Sequence, residues 1–212
     1  MSRRLILLLG GARSGKSTCA ERLAAQSGDR VLYVATAQAG DGEMEARIAV
    51  HRQARTPTWQ TVESPTGVGE AIRAALASEP MDAVLLDCLT LLVSNVILQG
   101  VAEEEEEELD RVNEVAAQER VAAELDGLLD AFHASNVPWI VVSNEVGWGV
   151  VPPYPLGRVY RDLLGWANQR LAAEADQVYL MVAGLPLDIK ALSATAVGSL
   201  NQRSLCQPPV RQ

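Results

Sequence analysis

Apolar residues in this chain gather into short unbroken runs, separated by longer stretches in which they recur every three or four positions. The runs at residues 5–9, 31–35, 83–86, 139–143 and 178–182 are rich in leucine or β-branched residues. They are too short for buried helices and predict strands covered on both faces. Helical spacing fills residues 16–26, 43–55, 67–77, 109–134 and 158–175. Strand and helix therefore alternate, which predicts an α/β fold: a mostly parallel sheet with helices on both faces. No linker divides the pattern, so residues 1–190 read as one domain. Beyond Lys190 the periodicity fades and the chain ends near Pro208 and Pro209, so residues 191–212 read as a poorly ordered tail.

Composition narrows the class. The formal net charge of -9 argues against nucleic acid and against anionic membranes as partners, and favours a small molecule. Cys19, Cys88 and Cys206 are odd in number and widely spaced, which suits a reducing cytoplasm and neither a disulfide framework nor a metal site. The run 5–9 follows Arg3 and Arg4 but is too short for a secretion signal. Residues 89–98 are interrupted by Thr90, Ser94 and Asn95, so no membrane insertion is expected. Six consecutive glutamates at 103–108 read as a solvated surface segment, not a metal site.

Between the first strand and the first helix stands Gly10-Gly11-Ala12-Arg13-Ser14-Gly15-Lys16-Ser17. Glycines at both ends let the backbone curl so that successive N–H groups point at phosphate oxygens, and the helix adds its positive end. Lys16 would reach the β- and γ-phosphates, and Ser17 would place its hydroxyl on a bridging Mg²⁺. Lysine occurs only at positions 16 and 190, so one of two lysines sits where this pattern demands it. The expected fold is thus a single P-loop NTPase-type domain. Asp87, closing the third strand, would hold Mg²⁺ directly or through water; Glu63, closing residues 58–63, is a weaker candidate for the acid.

On a helix over residues 43–55, Arg47, His51 and Arg55 share a face, with Arg52 beside them. Cations one turn apart repel, so the stripe makes most sense with an anion lying across it. The arginines also disfavour imidazolium, which leans His51 toward its neutral, nucleophilic form. On spacing alone, His51 reads as a surface histidine before it reads as a nucleophile.

Further segments join these: Tyr33-Val34-Ala35-Thr36-Ala37, Glu43-Met44-Glu45-Ala46-Arg47-Ile48, His51-Arg52, residues 59–63, Leu86-Asp87-Cys88-Leu89-Thr90, Asn144-Glu145-Val146-Gly147, Arg161-Asp162, Asn168-Gln169 and Ile189-Lys190. Together they resemble the bifunctional adenosylcobinamide kinase / adenosylcobinamide-phosphate guanylyltransferase family of cobalamin biosynthesis, over roughly residues 4–190. The resemblance implies two reactions: phosphorylation of the adenosylcobinamide hydroxyl by ATP or GTP, and transfer of GMP from GTP through a covalent histidine intermediate. It implies His51 and Lys16 as catalytic residues. It implies nucleotide contacts at Gly10, Gly11, Ala12, Arg13, Ser14, Gly15, Lys16, Ser17, Ala35, Thr36, Ala37, Arg52, Gln53, Ala54, Arg55, Glu63 and Asp87, Mg²⁺ on Ser17 and Asp87, and a homotrimer. Some family members carry two adjacent histidines here; Val50 precedes His51 in this chain, leaving one candidate. Trp148 would line the corrinoid or cap the core. Two rivals stand beside this reading, a simple small-molecule kinase and a nucleotide-dependent switch. The second lacks the Asn-Lys-x-Asp segment that guanine-reading switches carry.

Overall fold

A computed structural model describes residues 3–37, 58–103 and 113–197. The expected helix over 43–55, with Arg47, His51, Arg52, Gln53, Ala54 and Arg55, lies outside the described residues. So do residues 104–112, with most of the glutamate run, and residues 198–212 of the expected tail.

The chain runs β1 (Leu5–Gly10), α1 (Lys16–Ser27), β2 (Val31–Ala35), β3 (Gln60–Glu63), α2 (Val68–Ser78), β4 (Ala83–Asp87) and α3 (Leu89–Glu103). It continues through α4 (Glu114–Ala134), β5 (Trp139–Val142), α5 (Pro155–Glu174), β6 (Gln177–Val182), β7 (Leu185–Asp188) and α6 (Ile189–Val197). One seven-stranded sheet results, in the order β3-β2-β4-β5-β1-β6-β7. Every neighbouring pair is parallel except β6 with β7. This is a single α/β domain with a mixed, mostly parallel sheet.

The unbroken apolar runs have a direct cause. Successive side chains of a strand point to opposite faces, and here both faces are covered. Leu5, Leu7 and Leu9 of β1 pack into a large cluster with α2, α3, α4 and α5, whereas Ile6 and Leu8 pack with Ala20 and Ala24 of α1 on the other face. Trp139 is fully buried at the start of β5, edge-on to Phe132, and its indole N–H donates to Ser135 Oγ at 2.9 Å. A strand with polar alternation could not sit in this position without stranding polar groups in the core.

Besides β3, which the sequence marked only as a segment ending at Glu63, three elements were not read as such from the sequence. Residues 89–98, weighed only as a membrane span, belong to α3, whose Leu89, Leu92, Val93, Val96 and Ile97 recur at helical spacing and are all buried. No helix among the described residues is long and apolar enough to cross a membrane. Strand β7 contains Pro186, which argues against a central strand but is tolerated at a sheet edge, where its missing N–H faces no partner. Residues just past Lys190 continue as helix α6 to Val197, within the segment read as tail. Two expected helix starts also move. Helix α4 begins at Glu114, where Asn113 caps it by accepting from the Ala116 N–H. Helix α5 begins three residues early, because Pro155 at its first turn is preset for helix entry.

Candidate active site

Parallel strands deliver their carboxyl ends to one edge, and Ala35, Glu63, Asp87 and the loop after β1, read as functional, collect there. Ala35 is in register with Asp87 on one side and with Glu63 on the other, and Asp87 pairs across with Val142. Val142 stands opposite Leu8, two residues before Gly10. Ligands of open α/β sheets bind outside this edge, because connecting loops and helix N-termini converge there.

The loop after β1 is tightly specified. Gly10 has φ 150°, and a Cβ on it would come within 2.6 Å of the Met181 carbonyl oxygen and 2.9 Å of Ser14 Oγ. Gly15, at φ 92°, opens α1 and leaves only 3.1 Å between a would-be Cβ and Gly184 Cα. The close neighbour in both cases is the β6–β7 hairpin, whose Ala183 and Gly184 both take positive φ and whose Gly184 N–H donates to Ser14 O at 2.9 Å. Gly10→Ala is therefore expected to cost about 1–3 kcal/mol of stability, because a side chain there forces strain or a shift of the hairpin. Urea unfolding of the two proteins reads this directly, and equal midpoints would contradict it.

Lys16 is 7% exposed and folds back over the loop, donating to Gly10 O at 3.0 Å and Gly11 O at 2.7 Å, with Ser14 Oγ at 3.5 Å. Burial lowers its pKa from the ordinary lysine value, while Cys88 and Asp87 act in the opposite direction. An ammonium held by neutral carbonyl oxygens can exchange them for phosphate oxygens, which bind it more strongly. The Tyr33 hydroxyl donates to Asp87 Oδ2 at 3.0 Å, which fixes that carboxylate at the strand end. Burial, with the Asp87 charge, pushes the Cys88 thiol up to about 11, so it is a neutral thiol near pH 7.

Thr36 is fully buried, and its hydroxyl is occupied within the protein: it donates to Cys88 O at 2.7 Å and accepts from Cys88 N at 2.9 Å. Its carbonyl accepts from Asn95 Nδ2 at 2.8 Å. Thr36 thus ties β2 to the β4–α3 turn. Gly11, Ala12 and Arg13 are exposed at the loop crest, Ser14 is buried, and Ser17 and Ala37 are partly covered. Glu63 is exposed at its strand end. Trp148, 76% exposed, does not cap the core.

The model of the family described as "Cobinamide kinase / cobinamide phosphate guanyltransferase" matches residues 6–189. The chain belongs to this family. Three curated relatives agree along nearly their whole length. The "Bifunctional adenosylcobalamin biosynthesis protein CobP" of Pseudomonas aeruginosa is 44% identical over 87% of this chain and 96% of its own. The proteins of that description named CobU are 41% identical in Escherichia coli and 43% in Salmonella typhimurium, each over 88% of this chain and 99% of its own. A solved flagellar accessory protein, FlaH of Methanocaldococcus jannaschii, overlays at TM-score 0.44 with 14% identity, over 84% of this chain and 71% of that one. That likeness is too loose to carry an argument.

In this cobinamide kinase family chain, one constellation at the edge escaped the reading of motifs as chemistry. Asn168 of α5, 4% exposed, accepts from Ser143 Oγ at 2.6 Å and donates to Asn144 O at 3.1 Å and Glu145 Oε1 at 3.3 Å. Thr90 Oγ1 of α3 accepts from Asn144 N at 2.8 Å. The available signal was an asparagine on the apolar stripe of a helix, between Leu164, Ala167 and Leu171. A buried amide needs partners, and these are the three residues after β5.

Proposed function

We propose that this chain is a P-loop NTPase-type enzyme that phosphorylates adenosylcobinamide with ATP or GTP and then transfers GMP from GTP to the new phosphate, giving adenosylcobinamide-GDP and pyrophosphate. The observation that carries the reading is Lys16, buried under Gly10 and Gly11 at the carboxyl edge with Asp87 beside it, in a chain of this family. Lys16 would exchange its carbonyl partners for the β- and γ-phosphate oxygens, with the loop N–H groups from Gly11 to Ser17 around them. In the second reaction His51 attacks the α-phosphorus, forming an N–P bond as pyrophosphate leaves. The corrinoid phosphate then attacks the same phosphorus and releases His51. Splitting the transfer this way avoids bringing two polyanions together in one step. Arg52, Gln53, Ala54 and Arg55 are assigned to the triphosphate, and Ala35, Thr36, Ala37 and Glu63 to the rest of the nucleotide.

Mg²⁺ suits the donors present. The carboxylate of Asp87, steadied by Tyr33, and the hydroxyl of Ser17 are hard oxygen ligands, and this ion takes few protein ligands when substrate phosphates supply others. When bound, it would neutralise charge on the phosphates.

The reading includes a domain over residues 1–190, a cytoplasmic location and a homotrimer. Light scattering of the purified protein is expected to give about three times the 22.8 kDa chain mass; a monomer would remove that part. The deciding experiment incubates the protein with GTP labelled at the α-phosphate, then adds adenosylcobinamide. Acid-labile labelled protein, chased into a corrinoid-linked GDP product, is expected. Phosphorylated corrinoid without any labelled protein would leave only a simple kinase.

A further inference from the structure

Strand β5 lies between the strand that carries the phosphate loop and the strand that carries Asp87. The residues leaving β5 therefore face a nucleotide held between those two. They are Ser143, Asn144 and Glu145, and this segment is fixed from three sides. Ser143 N–H donates to Leu8 O at 2.9 Å and Glu145 N–H donates to Gly10 O at 3.2 Å, extending the β1 ladder into the loop. Gly10 O is also an acceptor of the Lys16 ammonium, so Glu145 and Lys16 meet on one oxygen. Asn168 from α5 and Thr90 from α3 hold the other side.

This much fixation is more than a surface loop requires, and it fixes a carboxylate. Glu145 is half-buried, and among the described residues its side chain has one hydrogen-bond donor, Asn168 Nδ2, on Oε1. An ionised carboxylate accepts several bonds, so capacity remains for a further donor from the cleft. Of the other acids at this edge, Asp87 is engaged by Tyr33 and Glu63 ends the outer strand β3.

Building on the kinase half of the proposed function, we infer that Glu145 is the catalytic residue that orients and deprotonates the acceptor hydroxyl, with Asn168 as its positioning residue. The hydroxyl donates to Glu145. As its oxygen bonds to the γ-phosphorus, the bond from that phosphorus to the β–γ bridging oxygen breaks. The electron pair leaves with the nucleoside diphosphate, and the hydroxyl proton passes to the Glu145 carboxylate. A carboxylate on the alcohol is the usual device of phosphoryl transfer, where most of the catalysis is placement. Asn168 holds three successive residues of the loop through one buried amide, so the carboxylate is set by a helix instead of by the loop's own conformation.

Glu145→Gln keeps the shape and an oxygen that can accept from Asn168 while removing the base. Steady-state phosphorylation of adenosylcobinamide by this variant is expected to lose about 10²–10⁴-fold in kcat, with KM for GTP within about twofold of the unaltered enzyme. Glu145→Ala is expected to lose similarly and to recover part of its rate in added formate, which a structural role would not permit. Undiminished kcat in Glu145→Gln, or loss in Glu145→Ala with no response to formate, overturns the inference. The unaltered enzyme keeps this failure apart from the other: if it makes phosphorylated corrinoid and a GMP adduct, the function stands whatever becomes of Glu145. If it makes neither, the function and the inference fall together.

Discussion

His51→Asn is expected to lose the protein-bound GMP entirely and to reduce formation of the GDP-linked corrinoid on the order of 10⁶-fold, the scale on which a covalent nucleophile is lost. Asparagine approximates the shape of imidazole but has no nitrogen lone pair able to attack phosphorus. Phosphorylation of the corrinoid by ATP is expected to continue in the variant, because that step moves a γ-phosphoryl group directly to the hydroxyl. The measurement is a pair of assays on one preparation: radiolabel retained on protein after GTP, and phosphorylated corrinoid after ATP. An adduct that survives the substitution would move the nucleophile elsewhere; His133, the remaining histidine, sits at the far end of α4 from the capping Asn113 and pairs with Glu174 at 3.7 Å. The attack needs neutral imidazole, so adduct formation should decline once the pH is low enough to protonate His51.

Lys16→Ala is expected to impair both reactions, each by at least about 10²–10³-fold, the usual cost of removing one positioned cationic or hydrogen-bonding stabiliser of transition-state charge. Two consequences combine. The triphosphate loses its cation, and Gly10 O and Gly11 O lose the ammonium that draws the loop together. Lys16→Arg separates these, since it keeps the charge but cannot fit the same buried space; it should fold and remain impaired. Steady-state rates for both reactions, with GTP affinity from titration calorimetry, give the comparison. Full kinase rate in Lys16→Ala would mean that the loop grips something other than the transferred phosphate.

The elements that were legible share a physical cause. Leu5, Leu7 and Leu9 face one helical layer while Ile6 and Leu8 face another, so β1 had to be apolar throughout and announced itself as a buried strand. The conformation of the β1–α1 loop was legible because Gly10 and Gly15 stand where a Cβ would collide with the β6–β7 hairpin, which leaves glycine little alternative. Helix α3 carries an equally clear helical repeat in Leu89, Leu92, Val93, Val96 and Ile97, but a helix apolar on most sides has the same local pattern whether a protein core or a bilayer covers it. Strand β7 was not legible. Its Leu185 and Leu187 are exposed, Pro186 reads as a breaker, and only pairing with β6 makes it a strand.

Site chemistry divides the same way. The positions of Lys16 and Asp87 at the carboxyl edge were readable because Lys16 opens α1 and Asp87 closes β4. The engagement of the Thr36 hydroxyl by the Cys88 backbone is a partnership between residues 52 apart in the chain that no local pattern encodes. The triad of Ser143, Asn144 and Glu145 with Asn168 is of the same kind, its partners 23 to 25 residues apart.

The sequence by itself determined the α/β alternation, the glycine-rich turn between β1 and α1 and the family, because each rests on local periodicity or on residues adjacent along the chain. Only the tertiary structure decided the strand order, and with it that β5 lies between the loop and Asp87. Strand order is set by which apolar faces bury one another across the whole domain, a choice that local spacing leaves open. That order is what brings Glu145 to the same backbone oxygen as Lys16.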